Sequence, residues 1–144
     1  MYLVKCVTEK EIVMTRHEAR EQAFIVLFEK LFNAEDTISE IIERAEECEL
    51  IKVNGFARSL LSLVEEHCDE IDALIEENSK DWTTSRLPKV SFAVLRLAVA
   101  EIKYNDEIPD GVAVNEAVEI AKKYGNAEDA SFINGLLGTV VKGA

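Results

Sequence analysis

Apolar side chains recur at intervals of three and four along most of the chain, and the breaks between these stripes predict about seven helices. Thr15-Arg16-His17-Glu18 has capping-box spacing, Thr15 accepting from first-turn amides while Glu18 reaches back. Behind it Ala19, Ala23, Val26, Leu27 and Leu31 share a face flanked by Phe24, Phe28 and Phe32, which predicts a first helix from about Thr15 to Asn33. A second box, Thr37-Ile38-Ser39-Glu40, opens a helix with Ile38, Ile41, Ile42 and Ala45 on one side. Phe56, Leu60, Leu63 and Val64 form a third stripe, and Ile71, Leu74 and Ile75 a shorter fourth after Asp69.

The polar run between Asn78 and Leu87 reads as a connection, with Trp82 folded back onto the core, and it marks a boundary between two helical subdomains, about 15–78 and 82–144. Beyond it, the segment from Val90 to Ile102 has almost no polar face, so that helix is expected to be buried on several sides, with Pro88 in its first turn. Asn105 to Gly111 reads as a loop containing Pro109. A sixth stripe, Val114, Ala117, Val118 and Ala121, stops at Tyr124-Gly125, and Phe132, Ile133, Leu136, Leu137 and Val140 make the last. No alternation of the β type, internal repeat or low-complexity run interrupts this pattern. The expected fold is all-α.

Composition sharpens the picture. Among 144 residues, 48% are apolar and 31% charged, as in a folded domain rather than an acidic tail. With 28 acidic against 16 basic side chains the formal charge is −12, which opposes unaided, nonspecific nucleic-acid binding. The excess is uneven: residues 34–80 hold 14 acids and 4 bases, the first helix is neutral, and residues 81–105 carry +2. Cys6, Cys48 and Cys68 are odd in number and form no close pair, so neither a disulfide framework nor a zinc knuckle is expected, and a reducing cytoplasm fits. No stretch approaches the ~18 uninterrupted apolar residues of a membrane span.

Little here resembles catalytic machinery, and neither enzyme activity, a cofactor nor a metal is expected. His17 and His67 lack second ligands at metal spacing, and Glu65, Glu66, Asp69, Glu70 and Asp72 read as a solvated acidic face. Arg96 and Glu101 are charges inside an apolar helix, so each must reach solvent or find a buried partner; structural pairing, for instance of Arg96 with Glu116, is the favoured account, with a partner-binding role as the alternative. Arg16 and Arg20 share one face of the first helix, while Lys122, Lys123 and Tyr124 close the sixth. Paired arginines suit phosphates, and an aromatic beside lysines suits base stacking. A solvated helix face explains the two arginines at least as well.

Read together, these segments carry a resemblance. The run from Thr15 to Phe24, the Val94-Leu95-Arg96-Leu97-Ala98 to Glu101 stretch, Val112-Ala113-Val114-Asn115-Glu116-Ala117-Val118-Glu119-Ile120-Ala121-Lys122-Lys123-Tyr124, and Ser131-Phe132-Ile133-Asn134-Gly135-Leu136-Leu137-Gly138 resemble the NusB family of transcription antitermination factors. The resemblance covers about Met14 to Lys142. It implies an all-helical fold of two subdomains and binding of the boxA element of ribosomal RNA leaders jointly with the small-subunit ribosomal protein NusE. It also implies assembly with NusA, NusG and RNA polymerase. On the family pattern Arg16, Arg20, Lys122, Lys123 and Tyr124 fall on the RNA side, as do Glu128 and Asp129 in the loop before the last helix and Phe132 at its start. Asn115 and Asn134 belong to the shared motifs, either as buried ties between helices or as RNA contacts.

His17 and Glu18 thin the arginine cluster that many relatives carry, so weak RNA binding without a partner is expected. Relatives commonly begin near the equivalent of Met14, and residues 1–14 therefore read as a poorly ordered N-terminal extension. No methyl-donor domain of the kind fused to some relatives is expected. Two other states remain open: an acidic helical adaptor that binds only proteins, and a homodimer paired through the RNA-binding side.

Overall fold

The computed structural model describes residues 14–49, 51–79 and 86–143; Cys6, the N-terminal extension up to residue 13 and the placement of Trp82 lie outside them. Among the described residues the chain forms α1 (Arg16–Phe32), α2 (Ile38–Glu47), α3 (Gly55–Glu66), α4 (Cys68–Asn78), α5 (Lys89–Tyr104), α6 (Asp110–Tyr124) and α7 (Ala127–Gly143), with no strand. None of these helices is long and apolar enough to cross a membrane.

Local signals set the helix starts. Thr15 Oγ1 accepts from the Glu18 amide at 3.1 Å and Glu18 returns the bond to the Thr15 amide at 3.2 Å, and Thr37 and Glu40 repeat the arrangement for α2. Asn54 caps α3 through its side chain, 2.9 Å from the Ala57 amide. Pro88 stands at the cap of α5 rather than inside its first turn, and α6 starts at Asp110, earlier than the expected loop to Gly111.

The last helix departs further from expectation. It begins at Ala127, so Glu128 and Asp129 lie in its first turn and not in a preceding loop, and Phe132 is already a turn inside. The cause is a third reciprocal cap: Asn126 Oδ1 accepts from the Asp129 amide at 2.9 Å, and Asp129 Oδ2 accepts from the Asn126 amide at 3.1 Å. Gly125 allows the tight approach, because a Cβ there would come within 2.5 Å of Asp129 Oδ2 and 3.0 Å of the Ala121 carbonyl oxygen.

The nearly polar-free α5 is the centre of the bundle, packed by α1, α3 and α4 from one half of the chain and by α6 and α7 from the other. Leu95, Val99 and Ala100 are wholly buried there, within one apolar core that runs from Ala19 in α1 to Val140 in α7. α2 packs on α1, and α7 also reaches α4.

The two charges of α5 find partners in different directions. Five residues on a helix turn about 140° around the axis, so Arg96 and Glu101 cannot face one neighbour. Arg96 makes a bidentate pair with Asp72 of α4 at 2.9 and 2.8 Å, its guanidinium lying 4.1 Å from the Phe92 ring centre. The expected Arg96–Glu116 pair is therefore corrected, since Glu116 lies on the α6 face toward α1. Glu101 receives Arg20 of α1 in a second bidentate pair, Nε to Oε1 and Nη2 to Oε2, both at 2.8 Å. Arg20 is 3% exposed and Glu101 1%.

Removing one member of a buried pair leaves an uncompensated charge, which typically costs about 3–5 kcal/mol. Arg20→Ala or Glu101→Ala should lower unfolding stability by that amount in urea denaturation. Arg20→Met combined with Glu101→Leu should recover most of it, because an apolar pair of similar volume strands no charge.

Candidate nucleic-acid interface

The first half of α1 runs beside the second half of α6, and the two segments carry the cations singled out in the sequence. At the first turn of α1, Arg16 is exposed and its guanidinium rests 4.6 Å from the centre of the Phe56 ring, at the start of α3. Phe56 also sits 5.2 Å from the Arg20 guanidinium, so one ring supports both arginines. Their environments differ. Arg20 turns inward to Glu101, so the two arginines do not share a solvated helix face: Arg16 is exposed and Arg20 is buried.

On its other side α1 meets α6 through a chain of polar contacts. His17 bridges two carboxylates, its Nδ1 facing Glu116 Oε2 and its Nε2 lying 3.0 Å from Glu21 Oε1. Glu116 also approaches the Arg20 guanidinium at 4.0 Å. Glu21 Oε2 then accepts from Lys123 Nζ at 2.8 Å and from the Tyr124 hydroxyl at 3.0 Å. The Tyr124 ring centre lies 4.9 Å from that of Phe24, and the residue as a whole remains 37% exposed. Neighbouring Lys122 points to solvent and meets Glu119 at 3.7 Å. Cations in the last turn of α6 also complement the helix carbonyl end.

These contacts set the protonation of the cluster. The hydrogen bond to Glu116 holds the His17 imidazole above its ordinary pKa of 6.5; burial opposes this, and the charges of Glu116 and Glu21 reinforce it. Burial alone would raise the Glu21 carboxyl, but the bonds from Lys123 and Tyr124 outweigh it and hold the group below 4.5. Burial and the Glu21 carboxylate together push the Tyr124 phenol above 10.0, so it stays a donor at neutral pH.

The remaining site candidates separate. Glu128 is exposed at the start of α7, Asp129 is engaged in its cap, and Phe132 is half-buried against the core. Asn115 and Asn134 are both exposed, so neither is a buried tie between helices. Sequence reading passed over Glu21 and Phe56 as site residues; the spacing of His17 and Glu21 signalled only a helix-face pair, and nothing local pointed to Phe56. Among the described residues no group of three or more His, Cys, Asp or Glu side chains could hold a metal ion.

A histidine whose folded pKa is raised stabilises the fold fully below pH 6.5 and loses that contribution as pH climbs through the higher folded value. Denaturation midpoints of the parent protein and His17→Gln should therefore differ most on the acid side of neutrality and converge in mild alkali. The effect should be modest, because the His17 side chain is 43% exposed.

A model of the NusB family matches residues 17–142. Transcription antitermination protein NusB of Agathobacter rectalis is 44% identical over 128 residues, covering 86% of this chain and 97% of that protein. The Oceanobacillus iheyensis protein of the same name is 40% identical, covering 89% and 99%. A crystal structure of antitermination factors NusB and NusE in complex with dsRNA superposes with a TM-score of 0.80 at 29% identity, covering 90% of this chain and 97% of the matched one. The matched span takes in the core, the polar cluster and all seven helices but for Arg16 at the start of α1 and Gly143 at the end of α7, and the chain belongs to the NusB family.

Proposed function

We propose that this chain is an RNA-binding transcription antitermination factor that recognises the boxA element of ribosomal RNA leaders together with NusE. In that role it helps to assemble the antitermination complex with NusA, NusG and RNA polymerase. The observation that carries the reading is its likeness, over nearly the whole chain, to a NusB crystallised with NusE and dsRNA. The exposed side of α1 and the end of α6 supply suitable chemistry. Arg16, braced on Phe56, offers a planar guanidinium to phosphate, and Lys122 is a point charge held only by an exposed neighbour. Tyr124 presents a partly exposed ring for an unpaired base.

The role assigned to Arg20 changes. Buried against Glu101, it positions the first turn of α1 and thereby Arg16, without touching RNA itself. The acidic excess of residues 34–80 favours a basic protein partner over RNA on the α2–α4 flank, and NusE is the partner proposed.

Titration of a boxA-like RNA and a scrambled RNA of equal length, with and without NusE, tests the reading. Preference for the boxA-like RNA, strengthened by NusE, is expected; equal binding of the two RNAs in both conditions would sink it. Within that assay Arg16→Ala should flatten the log–log salt slope by about 0.7, one single-strand phosphate contact. Tyr124→Ala should weaken binding by about 1–3 kcal/mol through lost stacking.

A further inference from the structure

Two adjacent lysines at the end of α6 are in unlike states. Lys122 pairs with Glu119, three residues before it, at 3.7 Å, with both side chains about 60% exposed; such a pair holds its charge weakly and yields it readily to a phosphate. Lys123 is as exposed at 59%, yet its ammonium is bonded at 2.8 Å to a carboxylate whose side chain is 11% exposed. That carboxylate, Glu21, is fixed from three directions by Lys123, by the Tyr124 hydroxyl and by His17, which Glu116 holds in turn. One oxygen, Oε2, takes both the ammonium and the phenol. A phosphate oxygen arriving at this point would seek the same two donors.

We infer that Glu21 is a built-in phosphate mimic, a specificity-determining residue that occupies Lys123 and the Tyr124 hydroxyl and must be displaced before RNA can use them. The inference rests on the RNA-binding reading above. An anion that meets only Lys122 and Arg16 gains too little to open the Glu21 contacts, so nonspecific polyanions bind poorly. A correctly seated RNA, stacked on Tyr124, is placed to compete for the two donors. The depressed carboxyl of Glu21 keeps the mimic charged throughout the neutral range, and the raised imidazole of His17 favours the cation that holds it.

The test uses Glu21→Gln, which preserves volume and can still accept from Tyr124 but no longer opposes phosphate with a charge. Kd is measured by anisotropy against boxA-like and scrambled RNA at several salt concentrations, with and without NusE, for the parent, E21Q, Lys123→Ala and the double variant. Expected is about threefold to tenfold tighter binding of scrambled RNA by E21Q and a narrower preference for the boxA-like RNA. The salt slope should steepen by about 0.7, one further phosphate contact. Lys123→Ala should abolish the gain in E21Q and weaken binding of the boxA-like RNA by the parent.

Unchanged affinity and slope in E21Q, while the parent still prefers the boxA-like RNA, overturns the mimic and leaves the functional reading intact. No preference in the parent, with a Lys123-dependent gain in E21Q, supports occupation of Lys123 by Glu21 but overturns its part in specificity together with boxA recognition. A gain that survives Lys123→Ala also overturns the mimic, because the freed charge would then act elsewhere. Thermal melts of all four proteins separate these outcomes from loss of folding.

Discussion

The bidentate pair between Arg20 and Glu101 is the contact on which the working surface depends. It lies where α1 crosses the enclosed helix α5, and both members are almost wholly buried. Two charges in such a place are costly to desolvate, and their mutual bonds repay that only at good geometry. The pair therefore acts as a register lock. Sliding or turning α1 by one residue would strand a carboxylate against the apolar face of α5, so the helix has one acceptable setting. That setting fixes what the rest of its first turn can reach.

From this lock α1 presents two different flanks. Toward α3, Arg16 lies on Phe56, a cation kept accessible by an aromatic support. Toward α6, His17 and Glu21 join Glu116, Lys123 and the Tyr124 hydroxyl into one network. The first two turns of α1 thus carry a ready cation on one side and, on the other, the groups that restrain the donors of α6. A surface made only of free cations would bind any polyanion in proportion to charge. Restraint of some donors converts part of the electrostatic attraction into a demand for correct seating, which is how discrimination can rise without greater affinity.

Legibility in the sequence followed distance along the chain. Capping boxes at Thr15 and Thr37 operate over three residues, and both were readable from residue types. Enclosure of α5 followed from its missing polar face. The pairs that build the site span 81 residues for Arg20 with Glu101 and 102 for Glu21 with Lys123, and neither has a local signature. Arg96 shows the limit well: the need for a partner followed from an unpaired charge on an apolar helix, but the choice of Asp72 over Glu116 depended on how α4 packs. The start of α7 was misplaced for a different reason. Its cap is an Asn-x-x-Asp arrangement, and Glu128 and Asp129 read as loop residues until the reciprocal bonds of Asn126 and Asp129 are seen.

The overall charge of −12 takes its meaning from this geometry. Glu21, Glu101 and Glu116 are all engaged with cations of α1 or α6, so these acids next to the proposed interface cancel locally, while Glu18 and Glu128 stay exposed beside it. The exposed Glu65 and Glu66 stand at the far end of α3 from Phe56, about 14–15 Å along the axis at 1.5 Å per residue. At physiological ionic strength the screening length is about 8 Å, so their field is largely spent before it reaches Arg16. An acidic protein can therefore keep a phosphate-binding edge when most of its acids are either paired at that edge or more than a screening length away. Lower salt lengthens the reach of the acidic flank and strengthens attraction at the edge together, so net charge alone predicts neither the sign nor the size of RNA binding. On the proposed function, the local state of Arg16, Lys122 and Lys123 carries that information.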